Sequence, residues 1–164
     1  MAYSLDTSYL VDAWNNWYPF DSFTGAWRLW ASVAHAGDMF ALSIVRDETR
    51  RHAPDLVKFL DAHAPAWAVD VDDDATLDNA MNTLMTDLLR RGRKPQSVRR
   101  YLETADPLVV LHAELYGHTV VSIEESAPNS KIPKIPDLCA AKGVYHFYPE
   151  DVVAELGYSF APLL

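Results

Sequence analysis

The chain has 164 residues, 49% of them hydrophobic and 23% charged, and its 14 basic against 23 acidic side chains give a formal net charge of −9. We expect a single domain over residues 1–164, because this length suits one domain with its own core. The composition excludes a disordered chain, and the negative charge argues against a non-specific nucleic-acid binder.

The cysteine content and the lack of long apolar stretches also indicate the cellular compartment of the protein. The one cysteine, Cys139, excludes an internal disulfide framework and a cysteine-based zinc site. No apolar stretch approaches the roughly 20 residues that span a bilayer, and the first residues lack the basic start of a signal peptide. We therefore expect a cytoplasmic protein without membrane contact.

The first half of the chain alternates between short apolar runs and segments with helical periodicity. Phe23, Trp27 and Trp30 recur on one helix face, and Gly37 is placed to end that helix. In chain order we predict a strand at 3–5, a helix at 8–14, the aromatic helix, a strand at 39–42, a helix capped by Ser43 and running to Arg51, a helix opened by Pro54, and a turn or brief strand at 67–69.

The second half continues the alternation. We predict helices at 77–88, 98–102 and 106–116, a strand at 119–122, a helix at 136–142, a strand at 144–147 and a last helix at 149–156. Strands separated by helices are typical of an α/β fold. We therefore expect a central parallel sheet of four to five strands with helices on both faces.

Acidic side chains follow the predicted strands. Asp6 follows the first strand, Glu48 lies on the helix after the second, and Asp106 begins the long apolar helix. Glu124 and Glu125 follow a β-branched strand near the end of the chain. Because chemistry in open α/β sheets sits beyond the carboxyl ends of the strands, we expect these acids to meet. Crowded carboxylates repel, and a divalent ion such as Mg²⁺ relieves that repulsion.

Each acid also has a purely structural explanation. Asp6 and Asp106 are both placed to cap a helix, and Glu48 can be a solvated helix residue. Ser122 with Glu125 matches a capping box. Taken one at a time, these explanations are favoured. The joint placement of the acids at one sheet edge favours a shared site.

The motifs around the acids form a pattern that covers most of the chain. It consists of residues 4–12, Glu48, residues 105–107 and residues 119–124. Over residues 3–147 this pattern resembles the PIN-domain superfamily of nucleases. The aromatic run at 17–21 and the Lys-Ile-Pro segment that starts at Lys134 resemble, more narrowly, an uncharacterised PIN-like branch.

The resemblance implies a three-layer PIN-like fold and a metal-dependent endoribonuclease, similar to the toxin half of a type II toxin–antitoxin pair. It implies that Asp6, Glu48, Asp106 and Glu124 hold one or two Mg²⁺ or Mn²⁺ ions. Glu124 stands where the superfamily usually has Asp, so the adjacent Glu125 is an alternative ligand.

The resemblance also implies supporting residues and partners. Thr7 and Ser122 would orient a water molecule or a carboxylate. The partners would be an RNA substrate, a protein antitoxin and a second copy of the chain in a homodimer. Two other functions stay open, namely a non-catalytic PIN-like module that binds RNA or a partner through a degraded metal site, and a nuclease that acts on DNA.

Basic residues cluster in the otherwise acidic chain and form a candidate phosphate-binding surface. They are Arg90, Arg91, Arg93, Lys94, Arg99 and Arg100, together with Lys131 and Lys134. The alternative is a solvent-exposed charge run. For the aromatic stripe around Trp14, Trp17 and Tyr18, we expect core packing or a dimer contact rather than stacking on RNA bases.

Overall fold

The computed structural model describes residues 2–155. The strands are β1 (Tyr3–Leu5), β2 (Met39–Leu42), β3 (Ala68–Val69), β4 (Thr119–Val121) and β5 (His146–Phe147). The helices are α1 (Thr7–Asp12), α2 (Phe20–His35), α3 (Ser43–His52), α4 (Pro54–His63), α5 (Ala75–Arg90), α6 (Pro95–Leu102), α7 (Ala105–Tyr116), α8 (Ile135–Lys142) and α9 (Pro149–Glu155), with a π-helical segment, Ala13–Trp17, after α1. Within the described residues, no helix combines the length and the apolar character that crossing a membrane requires.

The five strands form one parallel sheet in the order β3-β2-β1-β4-β5. In the register, Tyr3 of β1 lies opposite Met39 on one side and Thr119 on the other. Helices flank the sheet, with α2 and α3 against β2 and α7 against β1 and β4. The predicted α/β class with a parallel central sheet is confirmed, and the arrangement is consistent with a three-layer PIN-like fold.

The strand order creates a switch point between β1 and β4. From β1 the chain continues to β2 on one side, whereas β4 is added on the other side much later in the chain. The Asp6 N–H donates to the Val121 carbonyl over 3.0 Å, which carries the pairing to the ends of both strands. A crevice at such a switch point is where open α/β sheets bind ligands.

Aromatic side chains fill the space between α1, α2 and α4. Trp14 lies 4.9 Å from the ring of Trp27 and 5.2 Å from that of Phe20, measured between centroids. The Trp27 indole N–H donates to the Tyr18 carbonyl over 2.6 Å. Trp27 is therefore a core residue and the partly buried Trp14 packs against it, in line with the predicted core packing, whereas Trp17 is 41% exposed.

Several predicted caps are wrong. Helix α3 begins at Ser43 itself, so Ser43 does not cap it, and Leu42 precedes it. The residue before α7 is Thr104, which places Asp106 inside the first turn. No helix starts at Ser122, since residues 122–134 are irregular, so the capping-box explanation is also wrong. The predicted end of the last helix at 156 lies outside the described residues.

Candidate active site

Asp6 occupies the end of β1 and caps α1. Its Oδ2 accepts from the Ser8 N–H over 3.1 Å and also from the Ser8 hydroxyl. The residue is only 4% exposed. Burial raises the pKa of Asp6, the hydrogen bonds from Ser8 and Thr7 oppose that rise, and the charge of Glu124 adds to it. Asp6 is therefore both a structural cap and a buried carboxylate beside other acids.

Asp106 lies in the first turn of α7, where Thr104 precedes the helix. Burial raises the pKa of Asp106 to about 7, and the charges of Asp6 and Glu124 add to the rise. Lys134 lowers that pKa and Glu48 raises it slightly. The charges of the other three predicted acids thus all act on Asp106, although these residues come from distant parts of the sequence.

Glu48 reaches the site from α3, which packs against α1. The Thr7 hydroxyl donates to Glu48 Oε2 over 2.8 Å. This bond fixes a carboxylate of α3 to the first residue of α1, which directly follows Asp6. Thr7 therefore orients a carboxylate, the role that the resemblance implies for it.

Glu124 has both carboxylate oxygens engaged by the start of α8. Its Oε1 accepts from Lys134 Nζ over 2.7 Å, and its Oε2 accepts from the Ile135 N–H over 3.0 Å. The neighbouring Glu125 is exposed. Of the two acids that the sequence left as alternatives, Glu124 is the one whose charge acts on Asp6 and Asp106.

Ser122 links β4 to β5 beside these acids. It is fully buried, and its hydroxyl lies 2.9 Å from His146 Nε2. The same hydroxyl accepts from the Glu124 N–H over 3.3 Å. Burial lowers the pKa of His146, so this ring favours its neutral form. Ser122 therefore fixes the backbone that carries Glu124.

Tyr101 contributes a hydroxyl that sequence reasoning missed. The side chain is 1% exposed, and among the described residues its hydroxyl has no hydrogen-bond partner. Burial raises the pKa of Tyr101 well above its usual range, and the charges of Asp106 and Glu124 add to the rise. A buried hydroxyl without a partner, beside two carboxylates, is a position where a bound polar group would fit.

Most of the predicted phosphate-binding residues are exposed at the end of α5, on α6 or between these helices. Lys134 differs from them, because it pairs with Glu124 of the acidic site. Arg91 Nε lies 2.9 Å from Asp87 Oδ2. Arg91 and Arg93 line a cavity of about 440 Å³ that is also lined by residues of α8 and of the segment that precedes it. The charged lining of this cavity is mixed, since Asp87 and Asp137 also border it.

The chemistry of the acids suits a hard divalent cation. Four carboxylates lie within electrostatic reach, the pKa of Asp106 is raised, and the Tyr101 hydroxyl lacks a partner among the described residues. However, no group of three or more His, Cys, Asp or Glu side chains within residues 2–155 is gathered closely enough to hold an ion. In this arrangement Ser8, Thr7 and Lys134 each hold a different carboxylate. Carboxylate oxygens are the type of ligand that Mg²⁺ and Mn²⁺ prefer, and the residues that would hold such an ion are Asp6, Asp106 and Glu48.

Comparison with known proteins identifies the family of the chain. No curated protein matches it. A family model described as a domain of unknown function, DUF4411, matches residues 3–160 and so includes every acid of the candidate site. The match covers nearly the whole sequence, and the chain belongs to the DUF4411 family.

Proposed function

We propose that the chain is a divalent-metal-dependent endoribonuclease that hydrolyses RNA phosphodiester bonds. The observation that carries the proposal is the mutual action of Asp6 and Asp106 at the switch point of the parallel sheet. The pKa of Asp106 is raised first by burial and then by the charges of Asp6 and Glu124, so a buried acid lies beside other carboxylates here. Perturbed acids at this position in an α/β fold are typical of a catalytic site.

Some residues of the site would hold the ion, and others would position the carboxylates that do so. Asp6 and Asp106 would hold the ion, with Glu48 as a further carboxylate. When bound, Mg²⁺ or Mn²⁺ supplies positive charge that neutralises the acids and polarises the phosphodiester. Ser8 keeps the Asp6 carboxylate in place, and Thr7 does the same for Glu48. Without a cation the same acids would repel the phosphate group that the enzyme must cut.

RNA as the substrate class is supported by the charge distribution and by the PIN-like resemblance. Exposed basic residues at the end of α5, on α6 and between these helices lie in a chain whose net charge is −9. Positive charge on this surface would hold a phosphate backbone independently of its sequence.

Substitution of the two central acids tests the proposal. We expect Asp6→Asn and Asp106→Asn each to lower kcat on single-stranded and structured RNA by about 100-fold or more, since each removes charge that would hold the ion. EDTA should abolish cleavage, and Mg²⁺ or Mn²⁺ should restore it. Glu125→Gln is a matched control because Glu125 is exposed beside the site, and its kcat should stay within about twofold of wild type.

The same assay separates the alternatives. Cleavage that persists in both Asp variants would show that the reaction does not require these two acids. Cleavage of a DNA oligonucleotide of the same sequence, without cleavage of RNA, would assign the chain to DNA. Asn at position 6 retains a side-chain oxygen that can cap α1, so a lost activity there reports on charge rather than on unfolding.

A second candidate is a non-catalytic RNA-binding module. The observation in its favour is that Glu124 is held by Lys134, and that no three acids within the described residues are gathered around one point. This candidate predicts RNA binding that persists in EDTA and no cleavage with either metal. The ribonuclease predicts cleavage that requires the metal.

The cellular role inferred from the PIN-like resemblance is that of a toxin paired with a protein antitoxin, acting as a homodimer. Expression of the wild-type chain alone should then arrest bacterial growth, and expression of Asp106→Asn should not. Growth that continues at equal levels of both proteins would contradict the toxin role without bearing on cleavage in vitro.

A further inference from the structure

One basic side chain lies among the acids of the site. Lys134 immediately precedes α8, and its Nζ lies 2.7 Å from Glu124 Oε1. The Lys134 ammonium also interacts electrostatically with Asp106 and Asp6. Its side chain is 42% exposed, so a bound substrate can reach it. The pocket therefore contains a positive charge of its own.

The Glu124 carboxylate accepts a hydrogen bond on each of its oxygens. One carboxylate oxygen accepts from Lys134, and the other accepts from the Ile135 N–H at the first residue of α8. A metal ion on Glu124 would share the carboxylate with both of these donors. The two hydrogen bonds place Glu124 to position Lys134 and to fix the start of α8.

We propose that Lys134 is a resident cation of the pocket, which takes one divalent ion at Asp6 and Asp106, and that the Lys134 ammonium contacts the scissile phosphate. This inference rests on the nuclease function proposed above. An ammonium group has three donor hydrogens, and the contact with Glu124 uses one of them. The other two can donate to phosphate oxygens, which lysine binds as a point charge.

The number of bound ions provides a test that does not depend on activity. Mn²⁺ is titrated into the purified chain at pH 8, and the free ion is followed by electron paramagnetic resonance. Lys142→Met is a matched control, because Lys142 Nζ lies 3.1 Å from Glu114 at the other end of α8. We expect one Mn²⁺ per chain in wild type and in this control. Lys134→Met should bind Mn²⁺ about tenfold more tightly, since a nearby positive charge has been removed.

A second pair of variants keeps the test decisive if Lys134→Met fails to fold. Glu124→Gln retains an oxygen that can accept from the Ile135 N–H, and we expect it still to bind one Mn²⁺. Asp106→Asn should lose that ion. Equal loss of Mn²⁺ in both variants would make Glu124 a ligand and overturn the inference. Two ions bound to wild type, or equal affinities in Lys134→Met and Lys142→Met, would also overturn it.

Kinetics test the contact with phosphate. Lys134→Met should lower kcat on RNA about 100-fold with KM within about threefold, as expected for a charge that acts in the transition state. Lys134→Arg should recover part of that loss. Cleavage by Lys134→Met at the rate of Lys142→Met would overturn the contact.

The outcomes separate this inference from the proposed function. One Mn²⁺ bound without any cleavage of RNA would overturn the nuclease and leave the one-ion arrangement standing. Two bound ions together with cleavage of RNA would overturn the one-ion arrangement and leave the nuclease function standing. If wild type binds no Mn²⁺ at all, both are overturned.

Discussion

At the scale of single residues, the Asp106 carboxyl carries an energetic cost that depends on pH. Its pKa in the folded chain is about 7, raised first by burial and then by the charges of Asp6 and Glu124. An aspartate in an unfolded chain has a pKa of about 4. Ionisation therefore costs folding free energy. That cost is absent below about pH 4, grows between about pH 4 and pH 7, and is complete above that range.

We therefore expect Asp106→Asn to stabilise the metal-free protein at pH 8 by on the order of 2–4 kcal/mol, and to have little effect at pH 4. Urea unfolding in EDTA at the two pH values measures the difference. Mn²⁺ at pH 8 should raise the midpoint of wild type and not that of Asp106→Asn. If the variant is no more stable than wild type at pH 8, ionisation of Asp106 does not lower the free energy of unfolding, and the prediction is wrong.

The candidate site was only partly predictable at this scale. The acids could be named because they follow strands of a parallel sheet, whose carboxyl ends share one edge. The pairing of Glu124 with Lys134 and the position of Tyr101 could not be named in that way. These contacts are made between side chains from different elements, and the periodicity of either segment contains no information about them.

At the scale of elements, proline begins and glycine ends several of the helices. Pro54 and Pro95 each stand in the first turn of a helix, where a missing N–H costs nothing. Gly117 ends α7 with a φ of 71°, a left-handed conformation that side chains with a Cβ rarely adopt. The boundaries at Pro54 and Gly117 were predictable because they depend on local geometry, whereas the sequence predicted α6 to begin only at residue 98.

The π-helical segment Ala13–Trp17 was not predictable from the same signals. The sequence predicts an ordinary helix over 8–14, and the wider turn follows directly after α1. The Tyr18 carbonyl just beyond it accepts from the Trp27 indole of α2, and Trp14 packs on Trp27. Packing between elements accompanies this departure from local helical geometry, and the local sequence alone does not predict such packing.

The end of α7 and the start of β4 enclose a pair of histidines at the amino end of the sheet, whereas the acids lie at its carboxyl end. His112 is 6% exposed, and its ring lies 5.6 Å from those of His118 and Phe40. Burial lowers the pKa of His112, the nearby His118 lowers it further, and Asp74 opposes both. The folded chain therefore favours the neutral ring.

Because the folded pKa of His112 lies below the unfolded value of about 6.5, acid should destabilise the fold. Stability is complete above that value and falls as the pH drops toward the folded pKa. We expect His112→Phe, which keeps a ring at this position, to lose less stability than wild type between pH 7 and pH 5. Thermal unfolding across this range measures the difference, and identical pH profiles would contradict the expectation.

At the scale of the whole molecule, the charge is divided along the chain. Residues 1–82 hold 5 basic and 13 acidic side chains, whereas residues 83–164 hold 9 and 10. The site joins the two parts, because Asp6 and Glu48 come from the first and Asp106 and Lys134 from the second. The parallel sheet and this division were predictable from the sequence. The pairing of Lys134 with Glu124 needed the structure.

We expect the basic residues outside the site to govern the salt dependence of RNA binding. Replacement of Arg93, Arg99 and Arg100 by Gln should weaken binding to all RNA sequences alike. The slope of log affinity against log salt should fall by about one for each phosphate group that the variant no longer neutralises. Lys58→Gln on α4 is the control, since this exposed lysine pairs only with Asp55 within the described residues. An unchanged slope would show that the cluster serves solubility instead.

The central position of β1 has a consequence for synthesis on the ribosome. This strand leaves the ribosome before its neighbour β4, which supplies the carbonyl that binds the Asp6 N–H. Asp106 and Lys134 are also translated long after Asp6. A nascent polypeptide therefore holds an incomplete pocket until most of its codons have been read. The ribonuclease proposed above would be inactive toward its own messenger until then.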